Sequence, residues 1–417
     1  MAESCGGPLG STPAARLVRL IVITSSAIVL FDPVVCPAGT DFEVEVPAGF
    51  CGPLRLTDGR LFAVDRLGIK ALISTDTGRT WTDSGRLADR EGRPIGGPNP
   101  ERAYLVSAIR LVSGAIGLKF EIPQVGTNRQ SSKLDAFFSQ SSDEGKTWSE
   151  PVRVTWPNAP TNATWLIQTR SGRLVLPNEY WHTQPNDRGL GICTAFYSDD
   201  QGRNWKESRD SLWVWADGGA SQGGCEVPCV VEAADGKLLM FMRTRYQRIA
   251  QSESTDGGTT WSAVRLNELV SSNSEVYVAR VPTTNDLLCI WNQATTEEIK
   301  TGYYRARLTM AISKDSGATW RNFRTFASSP SQQAVGRVTE TSPPEFLDTP
   351  MAVPTEKLMR ADTFHMNRAP RVVFVDESAY VTYTHRRYRY VDGKITRETN
   401  QRKLRALPIS WFYAKDE

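Results

Sequence analysis

Short apolar runs recur along this chain, each entered through a polar turn. They read Asp58-Gly59-Arg60-Leu61-Phe62, Ser113-Gly114-Ala115-Ile116-Gly117, Ser171-Gly172-Arg173-Leu174-Val175 and Asp235-Gly236-Lys237-Leu238-Leu239, with a degenerate fifth copy at Asn285-Asp286-Leu287-Leu288. Turn residues followed by a few apolar ones predict a strand leaving a hairpin. Downstream of each lies a second phrase, S-x-D-x-G-x-x-W, at Ser74–Trp81, Ser141–Trp148, Ser198–Trp205, Ser254–Trp261 and Ser313–Trp320. Its aspartates, Asp76, Asp143, Asp200, Asp256 and Asp315, are separated by 67, 57, 56 and 59 residues. A period of this length kept in register means one supersecondary unit used repeatedly. The phrase predicts a tight turn in which Asp accepts backbone N–H groups, Gly supplies a positive φ, and Trp buries a large ring. Strand, hairpin, second strand, third strand and box turn follow one another in each period, which predicts a four-stranded antiparallel unit.

These boxes resemble the Asp-box repeats of the sialidase (neuraminidase) superfamily. The resemblance implies an all-β protein, a six-bladed β-propeller of four-stranded antiparallel blades, over residues 42–417. Its sixth, box-less unit falls between Pro370 and Trp411, where Val372–Val375 and Ala379–Tyr383 read as strands. Residues 1–41 are read separately. Arg16 and Arg19 precede an apolar run of 12 residues from Leu20 to Phe31, too short to span a membrane. It reads either as a signal peptide or as a hairpin of Ile21–Thr24 and Ala27–Phe31 that closes the ring. The first reading places the protein outside the cytoplasm, secreted or periplasmic; the second leaves it cytoplasmic.

Composition narrows the function classes. With 40% hydrophobic and 23% charged residues among 417, the chain can bury a sizeable core and is not disordered. A net charge of +3, from 49 basic and 46 acidic residues, is too balanced for a nucleic-acid partner. Three histidines make a His-rich zinc site improbable, and no metal or cofactor is expected. The seven cysteines, an odd number, argue against a full disulfide framework; Cys225 and Cys229 are either one disulfide or two buried thiols.

By resemblance the boxes sit on the outer rim and are structural, while chemistry belongs to the other end of the ring axis. There the superfamily uses an arginine cluster to hold the sugar carboxylate, a Tyr nucleophile activated by a Glu, and an Asp acid. Carried over, Glu226 in Cys225-Glu226-Val227-Pro228-Cys229 is the activating base, and Arg243 in Met242-Arg243-Thr244 is a carboxylate clamp. Arg305, eight residues before the fifth box, takes the place of another clamp, with Arg307 nearby.

Two departures change the chemistry. The Arg-Ile-Pro arginine has no counterpart around Gly49-Phe50-Cys51, and the loop of the acid Asp is shortened, leaving Asp65 as the nearest carboxylate. Where the nucleophile Tyr is expected, the chain reads His365-Met366-Asn367-Arg368-Ala369-Pro370. His365 or Arg368 then faces the pocket, with Tyr383 on the next strand, and a His there acts as general acid or base near neutral pH. His182 and its neighbour Tyr180 are further sugar-contacting candidates. The expected function is an exo-acting glycosidase of sialidase type releasing a terminal acidic sugar from a glycan. The alternatives are a uronate-directed hydrolase or lyase on the same propeller, or a propeller that only binds glycan.

Overall fold

The computed structural model describes residues 41–96, 103–123, 134–157, 161–182, 190–214, 224–303, 305–330, 332, 334–340, 363–392 and 394–414. The signal-peptide and hairpin readings of residues 1–40 lie outside them. Each period forms an antiparallel sheet whose strands follow in chain order from the innermost outward. The first unit comprises Phe50–Arg55, Leu61–Asp65, Lys70–Ser74 and Thr82–Arg86, and the fourth Glu226–Glu232, Leu238–Arg243, Arg248–Ser254 and Arg265–Val270. The fifth runs Tyr277–Arg280, Leu287–Asn292, Leu308–Ser313 and Arg321–Ala327, with a short capped helix, Thr296–Lys300, between its second and third strands. The second and third units merge into one nine-stranded sheet, because Thr161–Ala163 bridges Leu134–Ser141 of one and Leu174–His182 of the other.

The box-less unit is longer than its sequence suggests. Its strands are Thr363–Val375, Ser378–Val391 and Lys394–Pro408, and its outermost strand is Phe42–Val46, paired with Lys394–Pro408. The first and last parts of the described chain therefore share one sheet.

Apolar residues do not gather into a single core. They form layers, each between one sheet and the next: Phe62 and Trp148 join the first and second units, Val175 and Trp261 the third and fourth, and Leu239 and Trp291 the fourth and fifth. The fifth and last share Met310 and Val381; the last and first share Tyr380 and Ala63.

The boxes build these layers. In all five the Ser hydroxyl donates to the Asp carboxylate at 2.8 Å. The Gly N–H donates back to that Ser oxygen, and the residue before Trp donates to the same Asp. The positive φ expected of Gly extends one residue upstream, to Thr77, Glu144, Gln201, Gly257 and Ser316. Two consecutive left-handed residues tighten the turn enough for a single Asp to reach across it. The Trp so presented packs on the preceding unit: Trp148 on Phe62, Trp205 on Phe138, Trp320 on Phe241. In the first box Thr77 O accepts from Tyr380 Oη of the last unit at 3.0 Å. The box is thus an inter-sheet staple.

Trp148→Ala should cost about 3–5 kcal/mol, because a buried indole between two sheets leaves a cavity neither can close; chemical denaturation measures this, and a loss below about 1 kcal/mol contradicts the staple. Hydrogen bonds from the Asn204 side chain and backbone and from Ser198 hold the Asp200 carboxyl at about 2. Its contribution is therefore complete above the ordinary carboxylate range and lost as pH falls through about 2. Asp200→Ala should cost roughly 1–2 kcal/mol at neutral pH, and the difference between the two proteins should shrink as the acid limb is descended.

Candidate active site

Four of the inner strands share a device that re-aims particular side chains. In the first, second, fourth and last units three residues of the inner strand face two of its partner, immediately after Cys51, Tyr104, Glu226 and Arg368. Such a bulge bends a strand and re-aims its side chains. In three of the four the next residue has positive φ: Gly52 at 135°, Val227 at 48° and Ala369 at 52°. A β-branched residue in that region is strained, and Val227 is held there because its N–H donates to buried Glu179.

Glu226 pairs directly across the sheet with Arg243. Arg243 Nε donates to Glu226 Oε2 at 2.7 Å and Nη2 donates to the same oxygen, while Arg245 Nη2 lies 3.9 Å from Oε1. Glu226 and Arg243 are both buried. Burial alone would lower the Arg243 pKa; Glu226, Glu275 and Glu179 outweigh it and raise it. The pair and the box stand at opposite ends of one strand, since Leu238 pairs with Ser254 of the box and Arg243 ends the strand. The five residue-to-residue steps of about 3.3 Å from Leu238 to Arg243 put them roughly 17 Å apart, so box and site are physically separate.

Beside this pair lies Glu275, just before the fifth unit's inner strand. Its Oε1 accepts from Arg368 Nη2 at 2.7 Å. Burial would raise its carboxyl; the guanidiniums of Arg368, Arg305 and Arg243 outweigh that and hold it well below the usual carboxylate range. Arg305 donates through Nη2 to Asn273 O at 2.9 Å. Glu179 accepts from Asn162 Nδ2 at 2.6 Å as well as from Val227 N, and burial pushes its carboxyl up. Four guanidiniums thus face three carboxylates, one of them displaced toward its neutral form. The excess positive charge suits an anionic ligand.

The structure therefore brings together Glu226, Arg243, Arg305 and Arg368, and adds Glu275, Glu179 and Arg245. Arg307 is elsewhere, donating to Glu298 at 2.5 Å. Tyr383 is not brought to Glu226: its hydroxyl donates to Glu43 of the outermost strand at 2.7 Å and its ring packs on Phe326. Tyr180 is likewise committed, donating to Glu207 of its sheet's outer strand at 2.7 Å. Both phenols are held above their ordinary value, by burial first and then by the carboxylate each meets. Neither is poised to ionise. Asp65 closes a turn, its Oδ1 accepting Leu67 N at 3.0 Å. His365 stacks edge-to-face on His385 at 4.9 Å. His385 Nδ1 meets Asn367 Oδ1 at 2.9 Å, whose Nδ2 donates to Ala306 O, so Nδ1 carries the proton. Burial lowers both histidines, His385 to about 4. His182 pairs with Leu190 at a strand end, and its side chain lies outside the described atoms. Cys225 and Cys229 are separate buried thiols, as are Cys51, Cys193 and Cys289.

Among the described residues no group of three His, Cys, Asp or Glu could hold a metal ion. No described helix is long and apolar enough to cross a membrane.

Layered four-stranded antiparallel sheets, with a buried cluster of charged residues along their inner strands, define the propeller class of all-β protein. The BNR repeat-like domain matches residues 64–385, and the chain belongs to that family and to the sialidase superfamily. A sialidase of Bacteroides fragilis (strain YCH46) is 30% identical over 199 residues, 44% of this chain and 32% of that protein. The match thus spans about a third of that curated relative. In fold the chain is similar to a protein of unknown function from Dyadobacter fermentans, with TM-score 0.55, 16% identity, and coverage of 88% of this chain and 98% of that one. It is similar also to a mutant of NanB sialidase from Streptococcus pneumoniae, with TM-score 0.53, 13% identity, and coverage of 88% and 71%.

Glu226→Ala should destabilise the protein by about 3–5 kcal/mol, because Arg243 is left buried without its partner. Replacing both, Glu226→Leu with Arg243→Met, should recover a large part of that loss. Equilibrium denaturation of the three variants tests this, and a cost for Glu226→Ala no larger than that for the double replacement refutes the pair.

Proposed function

We propose that the protein is a glycoside hydrolase of sialidase type, acting on a glycan that ends in a carboxylate-bearing sugar, and that its sheets form a closed ring of six blades. The observation that carries this reading is the cluster of Arg243, Arg245, Arg305 and Arg368 around Glu226 and Glu275, at the inner-strand end remote from the boxes. Guanidiniums bind carboxylates through paired N–H donors, so they would orient an acidic sugar. Glu226, aimed by its bulge, would lie beside the bound ring and act as general base. The ring reading is supported by apolar layers between successive sheets, including the first and last.

A second reading is favoured by the phenols. Tyr180 and Tyr383 are both committed to carboxylates on outer strands, so neither phenol serves Glu226 as the nucleophile. A uronate-directed enzyme on the same propeller requires no such tyrosine.

Purified protein should release the fluorophore from a fluorogenic sialoside or, on the second reading, from a glucuronide. Glu226→Gln should lower kcat at least about 100-fold with little change in KM. Unchanged turnover in Glu226→Gln removes that residue from the chemistry; absence of cleavage of either substrate removes the hydrolase reading.

A further inference from the structure

Glu275 ends the polar run Ser271-Ser272-Asn273-Ser274-Glu275, which leads into the fifth unit's inner strand. That run delivers two acceptors to two arginines. The Asn273 carbonyl takes Arg305 Nη2 at 2.9 Å, and the Glu275 carboxylate takes Arg368 Nη2 at 2.7 Å. Arg243 is the third guanidinium near the same carboxylate. Ser274 Oγ lies 3.4 Å from Oε2. The Asn273 amide is 96% buried, and neither its oxygen nor its nitrogen has a hydrogen-bond partner among the described residues. A buried, unsatisfied amide beside an arginine cluster calls for an explanation, and a polar ligand is one.

Resting on the reading of the site as an acidic-sugar site, we propose that Glu275 is an internal carboxylate ligand of the arginine cluster. It stands where the carboxylate of an incoming sugar binds, and it sets both the affinity and the selectivity of the site. Neighbouring guanidiniums repel one another unless anions lie among them; Glu226 serves Arg243, and in the protein alone Glu275 is the carboxylate held by Arg368. An arriving carboxylate must displace or share it, so it gains only the difference between two similar interactions. A sugar without a carboxylate has nothing to exchange. Asn273 supplies a donor and an acceptor for a hydroxyl or amide of the bound sugar.

The test is isothermal titration of the protein with N-acetylneuraminic acid, glucuronic acid and glucose. Glu275→Gln keeps the side chain's shape and removes its charge, so the Kd for the two acids should fall about tenfold or more, with glucose unaffected. Glu275→Asp keeps the charge but withdraws it from Arg368; it should tighten the same two acids by a smaller factor and serves if Glu275→Gln does not fold. Acid affinities equal to or weaker than those of the unaltered protein in either folded variant overturn the proposal and leave the acidic-sugar reading standing. If neither the protein nor its variants bind either acid at millimolar concentration, both readings fall.

Discussion

A four-stranded antiparallel sheet that is apolar on both faces cannot stand alone, and in this protein each finds cover only in the sheets before and after it. That constraint fixes the rest. Because every layer is shared, the turn between third and fourth strands cannot be a loose loop; it must hold a bulky ring against the neighbour. The Ser, Asp and Gly of each box do this with a few short hydrogen bonds and two left-handed residues. The Trp then belongs as much to the preceding sheet as to its own.

The same constraint frees the opposite strand ends. With apolar packing concentrated between the sheets, the first residues of the inner strands need not be apolar; three of those strands carry a bulge there, and the last unit's carries one further along, after Arg368. Glu226 and Arg368 both precede such a bulge and both meet an opposite charge: Arg243 across the sheet for the first, and Glu275 from the preceding unit for the second. The strain at Val227 is held by the hydrogen bond from its N–H to Glu179. Backbone strain is kept where the surroundings over-determine it, and here they fix the direction of one carboxylate.

Most of the fold was legible because its signal repeats. Five copies of one phrase report sheet order, strand length and the position of the tight turn, and the apolar run after each hairpin gives the second strand. The last unit was less legible, since without a box its strands read as Val372–Val375 and Ala379–Tyr383, whereas alternating charged residues continue them to Thr363–Val375 and Ser378–Val391. At the site, Glu226 and Arg243 were legible through the family resemblance as base and clamp; their ion pair was not, since it follows from the register that sets them opposite one another. Tyr180 and Tyr383 could not be placed, because which face of a strand a side chain takes depends on bulges that a single sequence does not announce. Both point to carboxylates on outer strands instead. Glu275 and Glu179 were missed for a different reason. Neither sits in a recurring phrase, and the only hint for Glu275 was an acidic residue closing a polar run directly before an apolar strand.

On the proposed function, the arginine cluster beside Glu226 receives the carboxylate of an acidic sugar. A crystal structure of the protein soaked in N-acetylneuraminic acid tests this most directly. The sugar carboxylate should lie within hydrogen-bond distance of at least two of Arg243, Arg305 and Arg368, with Glu226 against the ring. A sugar bound away from these arginines, with the Glu226–Arg243 pair and the Arg368–Glu275 contact untouched, would contradict it.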